Sequence, residues 1–299
     1  MRAIAGISLA VLALAFAGCG SRSSTAGGRL RVVAAENFWG SIAAQLGGDH
    51  VAVTSIVVNP ATDPHSYEAT PSDARAMAGA KVAIVNGIGY DNWASQLLDA
   101  NPVSGRVSVT VGDVLGLHEG DNPHQWYSPP NVRRVITAIV AAYDKADPAD
   151  TAYFRTREHA FETTGLARYD ELLAEIRSHY AGAPVGYSES IFQPLGAYLR
   201  LKLMTPYSFA KAVAEGSDVS AQDVETVERQ AQNHQIDVWV YNSQNVTPEV
   251  SRVTAMARAA HIPVVTVTET LSPSTLDFEQ WQVRELGALL AALRHSTRQ

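Results

Sequence analysis

Four side chains in this sequence combine metal-binding chemistry with positions at or beyond the carboxyl ends of predicted strands. His65 and His124 each follow a proline directly, the first in the segment NPATDPHSYEATPSD and the second in DNPHQWYSPP. Two carboxylates occupy comparable places in the second half of the chain, Glu189 in GYSES and Glu269 in TVTETLS. Neutral imidazole and ionised carboxylate are normal ligands of first-row divalent cations. If the two halves of the chain face each other, these four residues can bind one such ion between them.

The loop that carries the first histidine cannot form a regular helix or strand. Pro60, Pro64 and Pro71 interrupt it, because proline lacks an amide hydrogen and fixes its own φ angle. We expect these prolines to stiffen the loop and so to reduce the ordering cost of ligand binding at His65. A lone histidine in a polar loop is usually exposed and idle. The case for a site therefore depends on all four candidates together.

Short apolar strands alternate with helical patterns along the chain, which indicates parallel βα units with both sheet faces covered. Strands are predicted at residues 30–35, 50–58, 81–87, 106–111, 183–190, 236–242 and 262–270. Ligands of open parallel sheets collect at the carboxyl ends of the strands. His65 and His124 follow such ends and Glu189 and Glu269 lie at them, so the pattern places all four on the same side of their sheets.

A long helical pattern over residues 148–181 divides the chain. A helix of this length spans about 48 Å at a rise of about 1.5 Å per residue, which is more than one small domain needs. The chain of 299 residues also exceeds the usual size of a single hydrophobic core. We predict an α/β protein with an N-terminal lobe over residues 30–147 and a C-terminal lobe over residues 182–299. Each lobe contains a mainly parallel sheet flanked by helices, the long helix joins the lobes, and the ligand cleft lies between them.

The N-terminus has the pattern of a secretory signal. One arginine precedes an apolar run that is too short to span a bilayer comfortably, and we predict a signal peptide over residues 1–18. The segment FAGC resembles a bacterial lipobox, in which Cys19 is lipidated after cleavage, although Phe16 stands where Leu, Val or Ile is usual. The alternative is a plain cleaved signal with a stray cysteine. Residues 19–29 are rich in glycine and serine, which predicts a flexible tether to a lipid anchor on the extracytoplasmic face of the cell membrane.

Composition excludes one class of partner and one kind of stabilisation. The formal net charge of −7 argues against nucleic acid, because binding to phosphates needs a basic surface. Cys19 is the only cysteine, so no internal disulfide can form. The other histidines lie mainly on helical patterns or near their ends, where dipole and carbonyl contacts commonly satisfy them.

The segments NPATDPHSYEATPSD and NPHQWYSP resemble the two histidine motifs of the metal-binding receptors of bacterial ABC importers for zinc and manganese. The similarity extends over residues 30–297 and includes YSESIF and IPVVTVTETL in the second lobe. It implies two α/β lobes joined by one rigid helix, with the metal between them, and it implies that His65 and His124 are ligands. Glu189 stands where manganese-type members carry glutamate and zinc-type members usually carry histidine. Glu269 stands where the family carries aspartate.

Several polar residues near the candidate ligands are expected to support them rather than to bind metal. Asn242 and Gln244 follow the strand at residues 236–242, and Tyr67 belongs to the first histidine motif. Asn122 replaces the aspartate that is usual before the second Pro-His pair, and its amide can orient the loop in the same way. The segment LHEGDN before this pair is not rich in histidine, so we predict no metal-collecting loop.

The resemblance implies a monomeric receptor that captures Zn²⁺ or Mn²⁺, with Fe²⁺ ranked below both, and delivers it to an ABC permease in the membrane. Two nitrogen and two carboxylate ligands suit both metals; Glu189 favours manganese, whereas the Irving–Williams order favours tighter binding of zinc. The alternatives are a metallohydrolase that uses the same His/Glu site and a metal-dependent adhesin. A hydrolase usually keeps a metal position open for water and has a separate general base. The sequence contains no HExxH, nucleophile-elbow or glycine-rich phosphate motif, so we predict that the protein is not an enzyme.

Overall fold

The structure is a computed structural model, and it describes residues 28–296. The predicted signal peptide, Cys19 with its predicted lipidation, and most of the predicted tether lie outside the described residues. Within residues 28–296, no helix is both long enough and apolar enough to cross a bilayer.

The N-terminal lobe is built on a sheet of four parallel strands. These are β1 (Leu30–Glu36), β2 (Val51–Val57), β3 (Val82–Val85) and β4 (Val107–Thr110), and they lie in the order β2-β1-β3-β4. The lobe's helices are α1 (Asn37–Gly47), α2 (Pro71–Gly79), α3 (Asn92–Ala100), α4 (Val111–Leu115) and α5 (Pro129–Ala146). Every side chain of β3 is buried, as expected for a central strand with helices on both faces of its sheet.

The segment that connects the two sheets is helical but irregular at its centre. It consists of α6 (Thr151–Ala160), a π turn over Phe161–Gly165, and α7 (Ala167–His179). The Leu166 amide donates to the Phe161 carbonyl at 2.8 Å, which is the five-residue spacing of a π turn. A Cβ on Gly165 would lie 2.8 Å from Phe161 Cδ2, so glycine allows the turn to pack against this ring. The regular helix predicted over residues 148–181 is therefore interrupted by one π turn.

The C-terminal lobe repeats the topology of the first. Its strands are β5 (Pro184–Tyr187), β6 (Lys202–Leu203), β7 (Val238–Asn242) and β8 (Val264–Val267), all parallel and in the order β6-β5-β7-β8. Its helices are α8 (Gln193–Tyr198), α9 (Tyr207–Ala214), α10 (Ala221–Gln232), α11 (Pro248–Ala259) and α12 (Phe278–Ser296). Two parallel four-stranded sheets flanked by helices confirm the predicted α/β class.

The two lobes are in close contact behind the cleft. The Leu271 amide donates to Asn37 Oδ1 at 3.2 Å, and the Phe278 amide donates to Ser41 Oγ at 2.9 Å. Helix α7 packs against α12, while α6 packs against α5 and α1. One continuous cluster of buried apolar side chains includes residues from both sheets and from α12. This shared core restricts the relative motion of the lobes, because close-packed interiors deform little.

Candidate metal centre

His65 lies in a preformed loop between β2 and α2, at the mouth of the cleft. The Asp63 carboxylate accepts hydrogen bonds from the His65 amide and from Ser66 Oγ, both at 2.9 Å. These bonds close a short 3₁₀ turn over Pro64–Ser66. The residue is exposed, but its ring packs edge-on against Tyr90 with 4.5 Å between the ring centroids. This packing shields part of the ring from water, and the loss of hydration lowers the pKa of His65.

His124 is completely buried, at 0% exposure, and Asn122 determines which tautomer its ring adopts. His124 Nδ1 lies 2.8 Å from Asn122 Oδ1. An amide oxygen can only accept, so Nδ1 carries the hydrogen and Nε2 presents its lone pair to the cleft. Burial lowers the pKa of His124 to about 4, which keeps the ring neutral at neutral pH. Asn122 Nδ2 also donates to the Ser190 carbonyl at 2.7 Å, and this bond joins the His124 loop to the C-terminal lobe.

Glu189 and Glu269 approach the same imidazole from the other lobe. His124 Nε2 lies 3.8 Å from Glu189 Oε1 and 3.5 Å from Glu269 Oε2. The two glutamates follow β5 and β8, so both project from the carboxyl edge of their sheet. Burial raises the pKa of both carboxyl groups, and for Glu189 the neighbouring Glu269 charge raises it further. In the absence of a cation, ionisation therefore costs these two groups more free energy than it would in water.

Three uncharged side chains hold Glu189 and Glu269 in place. Asn242 Nδ2 donates to Glu189 Oε2 at 2.8 Å and to Glu269 Oε1 at 2.9 Å. The Tyr90 hydroxyl donates to Glu269 Oε2 at 2.9 Å. Gln244 Oε1 accepts from the Glu269 amide at 2.6 Å, while Gln244 Nε2 donates to the carbonyl of Pro60, in the His65 loop, at 2.6 Å. Gln244 thus links both walls of the cleft.

Two buried atoms that face each other lack a hydrogen-bond partner in the part of the chain that the structure describes. They are His124 Nε2 and Glu189 Oε1. Potential ligand atoms of His65, His124 and Glu269 also lie within 4.8 Å of one another. Buried polar atoms are normally hydrogen-bonded, so a cation between these groups would supply the missing partner. The imidazole and carboxylate donors fit zinc or manganese.

Two cavities lead from the surface to His65. One, of about 290 Å³, is also lined by Glu119 and Asp121, and the other, of about 360 Å³, is also lined by Asp63. Glu215 lines both cavities. Glu119 and Asp121 at one opening and Asp63 at the other favour the approach of a cation, whereas Glu215 is paired at 3.6 Å with Lys211, which also lines the first cavity.

The structure brings His65, His124 and Glu269 within reach of one ion, and Glu189 faces His124 at 3.8 Å without belonging to that closest group. Asn242 and Gln244 lie beside the two glutamates. Tyr67, predicted to support the site by holding the first histidine loop, donates its hydroxyl hydrogen to Asp73 Oδ2 at 2.8 Å rather than to a predicted ligand. Asp73 belongs to the N-terminal capping box of α2, so Tyr67 braces the loop from outside the site. Tyr90 is a site residue that the sequence analysis missed. The sequence feature that could have indicated Tyr90 is its position just beyond β3, at the same sheet edge as the predicted ligands.

The chain is similar to several known metal-binding proteins. Residues 32–292 match the family described as ZnuA, zinc-uptake complex component A, periplasmic. The manganese-binding lipoprotein MntA of Halalkalibacterium halodurans is 32% identical over 160 residues, which are 50% of this chain and 52% of that protein. A putative metal-binding protein of Treponema pallidum is 24% identical over 256 residues, 79% of each chain. The alignment with MntA thus covers about half the length of that relative.

Solved structures share the fold. The Mn-bound periplasmic metal binding protein from Candidatus Liberibacter asiaticus superposes with a TM-score of 0.72 at 20% identity, over 88% of this chain and 98% of that chain. A crystal structure of ZnuA gives a TM-score of 0.67 at 18% identity, over 90% and 98% of the two chains. At these identities the likeness establishes the fold alone. Because the family match extends over most of the sequence, this chain belongs to the periplasmic zinc-uptake complex component A (ZnuA) family, as the histidine motifs predicted.

Proposed function

We propose that this protein is the extracytoplasmic substrate-binding component of an ABC importer. It captures a divalent transition metal, Zn²⁺ or Mn²⁺, between its lobes and delivers the ion to a membrane permease. The observation that carries the proposal is the pair of buried, unpartnered atoms, His124 Nε2 and Glu189 Oε1, next to Glu269 where the lobes meet. Family membership and the metal-binding names of the relatives support the same function.

In this proposal His65, His124, Glu189 and Glu269 are the four ligands. The carboxylates together supply two negative charges, which a divalent ion neutralises, and the two imidazoles bind as neutral donors. An ion in this position removes the repulsion between Glu189 and Glu269 and gives both orphaned atoms a partner. Metal binding thereby relieves two unfavourable features of the metal-free site.

The proposal assigns residues 30–147 and 182–299 to two lobes joined by residues 148–181. Because the lobes share one apolar core, binding should involve a small closure of the cleft mouth, where His65 is exposed, rather than a wide hinge motion. Cleavage after residue 18 and lipidation of Cys19 would hold a monomer at the extracytoplasmic membrane surface. The lipoprotein name of the MntA relative supports this location.

Transport fits the site better than hydrolysis does. A metallohydrolase needs both an open metal position and a separate general base. Among residues 28–296, Glu189 and Glu269 are the two carboxylates within 4 Å of His124 Nε2, and both are needed to balance the charge of a divalent ion. Neither is then free to serve as a base.

The direct test is elemental analysis of the protein purified without chelator from metal-replete medium. We expect one zinc or manganese ion per chain in the wild type and none in the double variant His65→Ala, His124→Ala. The matched control is His159→Ala, His179→Ala, because both of these histidines are exposed on the connecting helices; it should retain the ion. A wild-type protein that contains no metal and gains no thermal stability from added zinc or manganese would overturn the proposal.

A further inference from the structure

Asn242 is placed to control how the two carboxylates bind a metal. It ends β7 and is 0% exposed. Its Oδ1 accepts from the Gln244 amide at 2.9 Å, which fixes the orientation of the carboxamide, because an amide oxygen accepts and an amide nitrogen donates. The NH₂ group must therefore face Glu189 and Glu269. Both of its hydrogens are used, one for each carboxylate.

The two hydrogen bonds divide the four carboxylate oxygens into two classes. Glu189 Oε2 and Glu269 Oε1 are bound to the Asn242 amide. Glu189 Oε1 and Glu269 Oε2 face His124 Nε2 at 3.8 Å and 3.5 Å, and Glu269 Oε2 also accepts from the Tyr90 hydroxyl at 2.9 Å. An oxygen that accepts a hydrogen bond still has a lone pair for a metal, so the limit is one of orientation. For either carboxylate to point both oxygens at an ion beside His124 Nε2, it would have to rotate away from Asn242. That movement would leave a buried N–H without an acceptor, which is unfavourable.

One oxygen from each carboxylate and one nitrogen from each imidazole give four donors. Four-coordinate tetrahedral geometry is what Zn²⁺ takes in nearly all structural protein sites. Mn²⁺ is typically held by octahedral, oxygen-rich sites and so gains from carboxylates that bind through both oxygens. We propose that Asn242 is a specificity-determining residue that limits Glu189 and Glu269 to one oxygen each and thereby favours zinc over manganese. This inference rests on the proposed function of the site.

The carboxylate ligands and their hydrogen bonds to Asn242 thus have opposite effects on the selectivity between zinc and manganese. Two carboxylates suit the harder manganese ion, whereas their attachment to one amide limits the coordination number. Asn242 is therefore a positioning residue that does not bind the metal. A merely structural role would weaken binding of both metals equally, so the ratio of the two affinities separates the two roles.

The test compares the full-length wild type with Asn242→Ala and with the control Asn245→Ala. Asn245 lies in the loop that follows β7, and its side-chain amide donates to the Val213 carbonyl at 3.0 Å rather than to a carboxylate. Zinc and manganese affinities are measured by competition with a chromophoric chelator. In Asn242→Ala we expect zinc affinity to fall by about 10- to 100-fold and manganese affinity to change much less. The control should match the wild type in both.

Bound Co²⁺ reports coordination number independently, because four-coordinate Co²⁺ absorbs visible light much more strongly than six-coordinate Co²⁺. We expect strong absorption in the wild type and weaker absorption in Asn242→Ala. If the alanine variant does not fold, Asn242→Ser serves instead, because its single hydroxyl hydrogen can reach only one carboxylate, and the affinity ratio should fall in the same direction.

The outcomes separate this inference from the proposed function. An unchanged affinity ratio and Co²⁺ spectrum in the Asn242 variants, or an equal loss of affinity for both metals, would overturn the role of Asn242 while leaving the receptor function intact. A wild-type protein that binds neither metal would overturn both.

Discussion

The hydrogen bond from Tyr90 to Glu269 makes a sharp prediction for the variant Tyr90→Phe. Tyr90 is 1% exposed, and its hydroxyl donates to Glu269 Oε2 at 2.9 Å. Phenylalanine keeps the ring that packs against His65 and removes only the hydroxyl. The substitution therefore tests the bond and leaves the wall of the cleft in place. Metal binding should become weaker because Glu269 loses one of the contacts that hold it in a ligating position.

The size of the effect follows from the contacts that remain. A hydrogen bond to a charged group contributes about 1.5–3 kcal/mol, and about 1.4 kcal/mol corresponds to a tenfold change in affinity. Asn242 still holds the other oxygen of Glu269 at 2.9 Å. The loss should therefore lie near the lower end of the range, and we expect metal affinity to fall about tenfold.

Competition titration with a chromophoric chelator at neutral pH measures this change. The matched control is Tyr143→Phe, which removes an equally buried hydroxyl that donates to the Ala43 carbonyl at 2.8 Å in the N-terminal lobe. The control should lose about 1 kcal/mol of stability and retain wild-type metal affinity. The reasoning fails if Tyr90→Phe binds metal as tightly as the wild type, or if Tyr143→Phe weakens binding to the same extent.

Three further predictions concern stability. Burial raises the pKa of Glu285 to about 8, so the neutral carboxyl group stabilises the fold fully below the ordinary carboxyl pKa and this stabilisation is lost as pH rises toward 8. In that window the free energy of unfolding in urea, compared with that of Glu285→Gln, should fall by up to about 1.4 kcal/mol per pH unit. Gly186→Ala should cost about 1–3 kcal/mol in urea unfolding, because the new Cβ would lie 2.8 Å from Trp239 Cε3; a neutral result would contradict the packing. Thr70→Ala removes the N-cap of α2 and should lower the free energy of unfolding by about 1 kcal/mol. An unaltered thermal stability would contradict this role of Thr70.

The strands and the strand-end loops could be predicted from the sequence because their signals are local. The apolar run at residues 81–87 contains β3, and the strand predicted at residues 236–242 contains β7. Strand β6 was not predicted, since a two-residue edge strand leaves no periodic pattern. The π turn was missed for a related reason: only Gly165 marks it, and regular helices also tolerate an isolated glycine.

Contacts between residues that are distant in the chain could not be predicted in the same way. Tyr90 and Glu269 are 179 positions apart, and an aromatic residue after a strand is equally typical of a core position. Tyr67 shows the opposite case, because its closeness to His65 in sequence does not bring its hydroxyl to the ligands. The role of Asn242 depends on two carboxylates meeting at one amide, which only the folded lobe brings together.

Anomalous X-ray diffraction from crystals of the metal-loaded protein, recorded at the zinc and manganese absorption edges, tests the proposed site most directly. We predict one strong anomalous peak between the lobes, about 2.0–2.2 Å from a ring nitrogen of His65, His124 Nε2, Glu189 Oε1 and Glu269 Oε2. A peak elsewhere on the protein, or a metal between the lobes that contacts neither glutamate, would contradict the assignment of these four residues as the binding site.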